Sequence, residues 1–305
     1  SDRFEEILLL NLATSVVLPL VFFCHAFFAL RKTEHALVAA FIFAVAPIPI
    51  FFAASDAQFI TSMLFTCGSL ALFHGALAAR RWYVELFFGI GALNLFEMAL
   101  SARQVNFAFG AIAILGGLSF LNVRRHLAPA RTLWAFYMLI SGAVQFQSQM
   151  SAVVGNSQHS QSFNDKIVGF LDKLGNPQEH MWDVVVSNFY LGPDVFPLPI
   201  AVLSLVGVVY LWRRDRLLFF YLTTWFFALY AAHCLVWASN IIAASRYGFH
   251  TITPVFFTAT VGFFAAIPFC REKLQNFPSA KRPILIILGV FVLGSGYMGY
   301  GLFRM

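Results

Sequence analysis

Charged side chains are scarce in this chain. Only 11% of its 305 residues are Asp, Glu, Lys or Arg, whereas a soluble domain holds roughly 25%. Hydrophobic residues make up 60% of the sequence, and the mean hydropathy is +0.76. A packed core of this size could not hold so many apolar side chains unless lipid surrounded most of them. The composition therefore excludes an ordinary soluble domain and predicts an integral membrane protein, with residues 1–305 as a single transmembrane domain.

Cysteine is also rare, with four residues in the whole chain. They lie far apart, within or beside apolar runs, and form no CxxC pair; no histidine stands near them at a ligand spacing. The pattern excludes a zinc site and a disulfide framework and indicates buried thiols. The cysteines are Cys24, Cys67, Cys234 and Cys270.

Long apolar segments fill most of the sequence. Ten of them approach the roughly 20 residues that a spanning helix needs. The sequence therefore predicts an all-α fold, a polytopic transmembrane bundle of about ten helices. The segments are 7–30, 36–54, 57–79, 83–100, 104–121, 132–150, 196–212, 217–237, 248–269 and 283–303.

Basic residues are distributed unevenly among the connections between these segments. Fourteen of the twenty Lys and Arg residues lie on alternate connections, which the positive-inside rule places in the cytoplasm. The net charge of +6 is therefore a signature of topology and does not indicate nucleic-acid binding. The fourteen are Arg31, Lys32, Arg80, Arg81, Arg124, Arg125, Arg131, Arg213, Arg214, Arg216, Arg271, Lys273, Lys281 and Arg282.

This topology puts Ser1 on the outer side, although the chain begins without an initiator methionine or a signal-like segment. We expect either that an upstream transmembrane helix precedes Ser1 or that the first segment inserts with its N-terminus outside. A membrane-protein partner that supplies this part is the alternative source of such a helix.

One acid stands at a break between two apolar segments. Pro47 and Pro49 lack backbone donors and should end or kink the second segment, after which Ser55 or Asp56 can cap the next helix. The long polar segment 151–195 is predicted to lie on the same outer side as Asp56. Within the apolar segments, His25 and His74 are expected to be hydrogen-bonded inside the bundle.

The order of these motifs resembles the GT-C membrane glycosyltransferases. The succession 34–40, Ala46-Pro47 and Ser55-Asp56, followed by a helix rich in Leu and Phe, is similar to the middle of that family. Its closest members would be enzymes that move a sugar from a polyprenyl phosphate, namely the aminoarabinose transferases and the protein O-mannosyltransferases.

Three later stretches also resemble that family. The stretch Glu97 to Arg103 stands where the family has a short outer turn with a basic residue, and 151–195 matches its periplasmic segment. Ser245-Arg246-Tyr247, followed by Pro254, is similar to its late R-Y…P element. The sequence departs from the family in one respect, because Ser1 is expected to lie downstream of the family's first helix and of the acidic loop that follows it.

The resemblance implies roles for five residues. Asp56 would be catalytic, orienting or deprotonating the acceptor, and is a candidate ligand for a divalent metal ion, the only cofactor that the resemblance suggests. Arg246 and Tyr247 would hold the lipid phosphate, with Arg103 and Glu97 lining the donor cavity. The structural alternatives are a helix cap for Asp56, membrane-surface anchors for the arginines, and a Glu97–Arg103 ion pair.

The implied function is sugar transfer from a polyprenyl-phosphate carrier to a glycan, lipid or protein acceptor. The reaction would take place at the outer face of a bacterial inner membrane. A non-catalytic GT-C-like subunit that scaffolds a larger complex is the second interpretation. A lipid or solute transporter is the third, and it is disfavoured because no repeat relates the two halves of the chain.

Overall fold

A computed structural model describes residues 2–46, 49–50, 59–102, 198–237 and 251–275. Within these residues the chain forms seven helices and no strand, which confirms the predicted all-α class. The helices are α1 (Asp2–Leu30), α2 (Thr33–Val45), α3 (Phe59–Ala78), α4 (Trp82–Ala102), α5 (Leu198–Arg214), α6 (Arg216–Trp237) and α7 (Ile252–Gln275).

These helices coincide with seven of the ten apolar segments. The remaining three, 104–121, 132–150 and 283–303, lie outside the described residues, so the count of ten helices stays a prediction. The polar segment 151–195 also lies outside them.

The second apolar segment, 36–54, is interrupted near its two prolines. Helix α2 has 13 residues and ends at Val45. Ala46 then adopts an extended conformation (φ −68°, ψ 141°), as expected for a residue that precedes a proline. Pro47 therefore stands where the helix stops, which confirms its predicted role as a breaker.

Two predicted connections are helical instead. The stretch from Glu97 to Ala102, expected to be an outer turn, continues α4 to its last residue. Arg271 and Lys273, expected on a loop, lie in the last turns of α7. The predicted helices ended where the apolar segments end. Both helices continue further because polar residues at a membrane surface can remain helical.

Two of the described helices are long and apolar enough to cross a membrane. One covers Glu5–Leu30 within α1, and the other is α3, Phe59–Ala78. They differ in their surroundings, since 22% of the most apolar stretch of α1 is buried against 83% of that of α3. Helix α3 is therefore central, and α1 leaves a broad apolar face exposed.

The helices alternate in direction. Helix α1 runs parallel to α3, since Thr61 donates a hydrogen bond to Asn11 (3.3 Å) and Gly68 faces Val21 further along both helices. Helix α4 runs back along α3, joined to it by a hydrogen bond from the Ser69 hydroxyl to the Ala92 carbonyl (2.8 Å). We call the end of the bundle where α1 and α3 begin the outer end, and the opposite one the inner end.

The buried core includes residues of all seven helices, and a group of its phenylalanines lies between α1, α2 and α7. Phe22 is fully buried and stacks on Phe43 with ring centroids 4.5 Å apart. Phe257 and Phe256 meet Phe22 edge-on at 5.2 and 6.4 Å. Edge-on and offset ring pairs of this kind contribute about 0.5–1.5 kcal/mol each beyond the area that they bury.

Helices α5 and α7 bring their backbones very close together at two glycines. A Cβ atom on Gly207 would overlap the carbonyl oxygen of Thr258, and one on Gly262 would overlap that of Leu203. The two helices run in the same direction, since α5 ends beside Asp215, which pairs with Arg31 at the inner end, whereas α7 begins beside Met63 at the outer end. Small residues permit such close crossings in membrane bundles.

Candidate functional site

Most of the predicted site residues lie outside the described part of the chain. Asp56, Arg103, Arg246 and Tyr247 belong to that group. Their roles, and the predicted Glu97–Arg103 pair, therefore stay predictions. The structure does describe Glu97, which is half-buried on α4, five residues before the end of the described helix.

The helices that follow two of these residues meet each other. The hydroxyl of Thr253 on α7 donates a hydrogen bond to the thioether sulfur of Met63 on α3, at 3.8 Å. Met63 is the seventh residue after Asp56, and Thr253 is the seventh after Arg246. The first turns of α3 and α7 are therefore neighbours, and Phe59 and Ile252, which open these turns, are both buried.

Several buried or half-buried polar side chains lie at the same end of the bundle as this contact. Asn11 accepts the hydrogen bond from Thr61, and Thr14 lies one turn further along α1. Ser62 and Thr251 are also almost fully buried near the starts of α3 and α7. We call these five residues, with Met63 and Thr253, the outer polar layer.

The outer polar layer consists of hydroxyl, amide and thioether groups. Such groups can position a ligand by hydrogen bonds, but they are poor general bases, because none of them ionises near neutral pH. Within the described residues no cluster of three His, Cys, Asp or Glu side chains could hold a metal ion. A catalytic acid or base for this layer would therefore have to come from elsewhere in the chain.

A second polar cluster lies towards the inner end of the bundle. Nε2 of His25 and the hydroxyl of Tyr221 share a hydrogen bond of 3.1 Å. The rings of His74 and Trp225 lie 5.8 and 5.6 Å from that of His25, and all four side chains are buried. The expected hydrogen bond of His25 is confirmed, whereas its partner 196 positions away was not predicted.

An ion pair closes the inner end. Nη1 of Arg31 lies 3.4 Å from Oδ2 of Asp215, and the two side chains are 24% and 26% exposed. Partial burial lowers the pKa of the Arg31 guanidinium, and the Asp215 carboxylate offsets part of that change. Arg31 nevertheless stays charged, because its ordinary pKa lies so far above neutral pH.

Asp215 also caps a helix. Its Oδ1 accepts a hydrogen bond from the backbone N–H of Leu218 (3.0 Å), in the first turn of α6. Asp215 is the single residue between α5 and α6. The signal for this role was present in the sequence, since aspartate is a preferred N-cap residue and Asp215 stands just before an apolar segment.

Comparisons with known proteins give one informative result. No protein-family model matches the chain, and no curated protein matches it. Among solved structures, the crystal structure of the Archaeoglobus fulgidus oligosaccharyltransferase, in complex with Zn and sulfate, is similar over 96% of this chain. The TM-score is 0.56 and the sequence identity is 12%.

This likeness concerns the fold. The chain spans 40% of the length of the archaeal protein, and at 12% identity shared architecture does not carry a shared activity with it. The similarity supports the GT-C-like fold that the sequence motifs implied. A membrane location is indicated by the two apolar helices that are long enough to cross a bilayer.

Proposed function

We propose that this chain is a membrane glycosyltransferase that moves a sugar from a polyprenyl phosphate to an acceptor at the outer face. The contact between Met63 and Thr253 carries the proposal, because it joins the helices that follow Asp56 and Arg246. The likeness to an oligosaccharyltransferase supports the same class of reaction. The carrier, the acceptor and the bacterial inner membrane are part of the proposal.

In this mechanism Asp56 acts on the acceptor. Its carboxylate would accept a hydrogen bond from the acceptor hydroxyl and withdraw the proton as that oxygen attacks the anomeric carbon of the sugar. Direct displacement from the opposite face inverts the configuration at that carbon. The leaving group is the polyprenyl phosphate, which departs with the electrons of the broken bond.

Arg246 would hold the departing phosphate. Its guanidinium can donate two parallel hydrogen bonds to a phosphate oxygen pair and stabilise the charge that develops there. Tyr247 and Arg103 would complete this phosphate contact, with Glu97 lining the donor cavity. The outer polar layer would lie beneath these groups and position the sugar through its hydroxyl and amide side chains.

Asp56 is the one ligand that we propose for a divalent metal ion. The archaeal oligosaccharyltransferase was crystallised with Zn, but the described residues of this chain offer no cluster that fits a metal ion. Carboxylate oxygen is a suitable ligand for a hard cation. If one binds, it would supply charge neutralisation for the donor phosphate.

Replacement of Asp56 tests the assignment. In a transfer assay with a polyprenyl-phosphate sugar, Asp56→Asn should abolish activity while the thermal melting temperature stays unchanged, since an amide still caps a helix but is a poor base. Arg246→Lys should reduce the use of the donor without abolishing transfer, because a point charge remains after the bidentate fork is lost. Full activity of Asp56→Asn would show that Asp56 is a cap only. Wild-type protein that binds the donor without transferring the sugar would indicate the scaffold subunit instead.

A further inference from the structure

A crevice opens between α5, α6 and α7. It has a volume of about 120 Å³ and is lined mainly by apolar side chains. On its rim, Leu205 and Phe227 are 44% and 63% exposed, so it opens to the side of the bundle. In a membrane protein that side faces lipid.

The few polar groups in the crevice are satisfied by the protein. The hydroxyls of Ser204 and Thr258 bond to each other at 2.6 Å, and the hydroxyl of Thr223 donates to the Phe219 carbonyl at 2.7 Å. A polar ligand would gain little there and would lose its own hydration. The crevice therefore favours a hydrocarbon chain.

Three arginines stand at the inner end of the same two helices. Arg213 and Arg214 end α5, Arg216 begins α6, and all three side chains are exposed. Arg216 also lies over the ring of Trp212, 5.5 Å from its centre. In the described part of the chain none of the three has a carboxylate partner within salt-bridge distance.

Asp215, which lies between Arg214 and Arg216, already has two partners. Asp215 directs one carboxylate oxygen to Arg31 and the other to the Leu218 N–H. The Asp215 carboxylate therefore interacts with groups of the bundle. The three arginines on the exposed surface of the α5–α6 turn keep their positive charges. Such a cluster at the cytoplasmic membrane surface attracts anionic headgroups.

The spacing between arginines and crevice matches one leaflet of a bilayer. At 1.5 Å rise per residue, Leu222 lies about 9 Å beyond Arg216 along α6. Ser204 lies about 15 Å from Arg214 along α5 by the same measure. Half of a hydrocarbon core is also about 15 Å thick, so a lipid whose phosphate sits at the turn can place an acyl chain in the crevice.

We propose that an anionic diacyl phospholipid of the inner leaflet binds along the groove between α5 and α6. Its phosphate would contact Arg213, Arg214 and Arg216, and one acyl chain would fill the crevice beside Val208. The proposed headgroup contacts lie at the inner end, so binding of this lipid does not depend on Asp56 or on transfer activity.

Native mass spectrometry of the detergent-solubilised full chain tests the proposal, with phosphatidylglycerol and phosphatidylcholine added in parallel. We expect the protein to retain phosphatidylglycerol preferentially. Arg213→Gln with Arg214→Gln should weaken that retention by roughly 5-fold per arginine removed, because each basic residue near an anionic surface contributes at about that level. Arg80→Gln with Arg81→Gln is the matched control at another inner turn and should have little effect.

The crevice is tested by a second pair of variants. Val208→Phe fills the crevice and should reduce retention, whereas Val209→Phe places the same ring on the exposed face of α5 and should not. Circular dichroism checks that each variant is folded, and the Val209→Phe control separates loss of the site from general damage.

Three results would overturn the proposal. Equal losses from the two arginine pairs would show only diffuse attraction to basic turns. Equal behaviour of Val208→Phe and Val209→Phe would remove the acyl-chain subsite. A melting temperature raised as much by inorganic phosphate as by phosphatidylglycerol would show that the headgroup charge acts alone.

Discussion

The two halves of the described bundle, α1–α4 and α5–α7, are packed in different ways. Between α3 and α4 the close contacts involve side chains, as where Gly68 faces Cδ1 of Leu95 at 2.9 Å from its would-be Cβ. Between α5 and α7 the backbones themselves touch at Gly207 and Gly262. The first half can accommodate an added methyl group by moving a side chain. The second half cannot, because backbone atoms stand in the way.

The interface between the halves depends on rings and polar pairs. Phe22 packs on Phe257, His25 bonds to Tyr221, and Met63 meets Thr253. This interface also joins the helices that follow Asp56 and Arg246. The geometry of the proposed site should therefore depend on contacts between the halves more than on the packing inside either one.

The largest effect is expected from Phe22→Ala. Removal of a fully buried ring that contacts both halves should cost about 3–5 kcal/mol in stability. Thermal unfolding in detergent measures the loss. Phe27→Ala is the control on the same helix, since Phe27 is exposed, and it should change stability by about 1 kcal/mol or less. Similar losses for the two would contradict a ring-packed interface.

The comparison within the halves is tested by two glycine substitutions. Gly207→Ala should destabilise the protein by about 3 kcal/mol, because a methyl group cannot displace the backbone carbonyl of Thr258. Gly68→Ala should be nearly neutral, since Leu95 can rotate away and the helix gains about 1 kcal/mol from alanine. The melting temperatures of the two variants test this difference in packing. A lower melting temperature for Gly68→Ala than for Gly207→Ala would contradict it.

A smaller effect is expected at the polar pair between the halves. His25→Phe leaves the buried Tyr221 hydroxyl without its partner and should cost about 1–3 kcal/mol. Adding Tyr221→Phe should recover about 1 kcal/mol, because the unsatisfied hydroxyl is then gone. A double-mutant cycle of unfolding free energies measures this coupling. Strict additivity would mean that the hydrogen bond does not contribute.

The sequence was sufficient to predict which segments are helical and where α2 stops. Long apolar runs give the helices, and Pro47 forces the preceding residue out of helical geometry. Helix ends at membrane surfaces were less predictable, because residues such as Arg271 are polar and yet continue α7. The composition alone indicated a membrane location.

The pairing of helices could not be predicted. Nothing near Gly207 identifies Gly262 as its partner, and His25 gives no indication of Tyr221, since both contacts depend on how distant helices pack. For the candidate site, the sequence identified Asp56 and Arg246 through a family resemblance. It gave no sign of the contact between Met63 and Thr253, which depends on the tertiary arrangement of α3 and α7.

The most direct test of the central claim is whether the segments before α3 and α7 meet at one site. Ser55→Cys combined with Ser245→Cys, in protein whose four native cysteines are replaced by alanine, can be treated in membranes with a short bifunctional thiol reagent. Ser55→Cys combined with Thr33→Cys is the control, since Thr33 begins α2 at the inner end. We predict a cross-link in the first pair and none in the second; a folded protein whose first pair stays unlinked would contradict a shared site for Asp56 and Arg246.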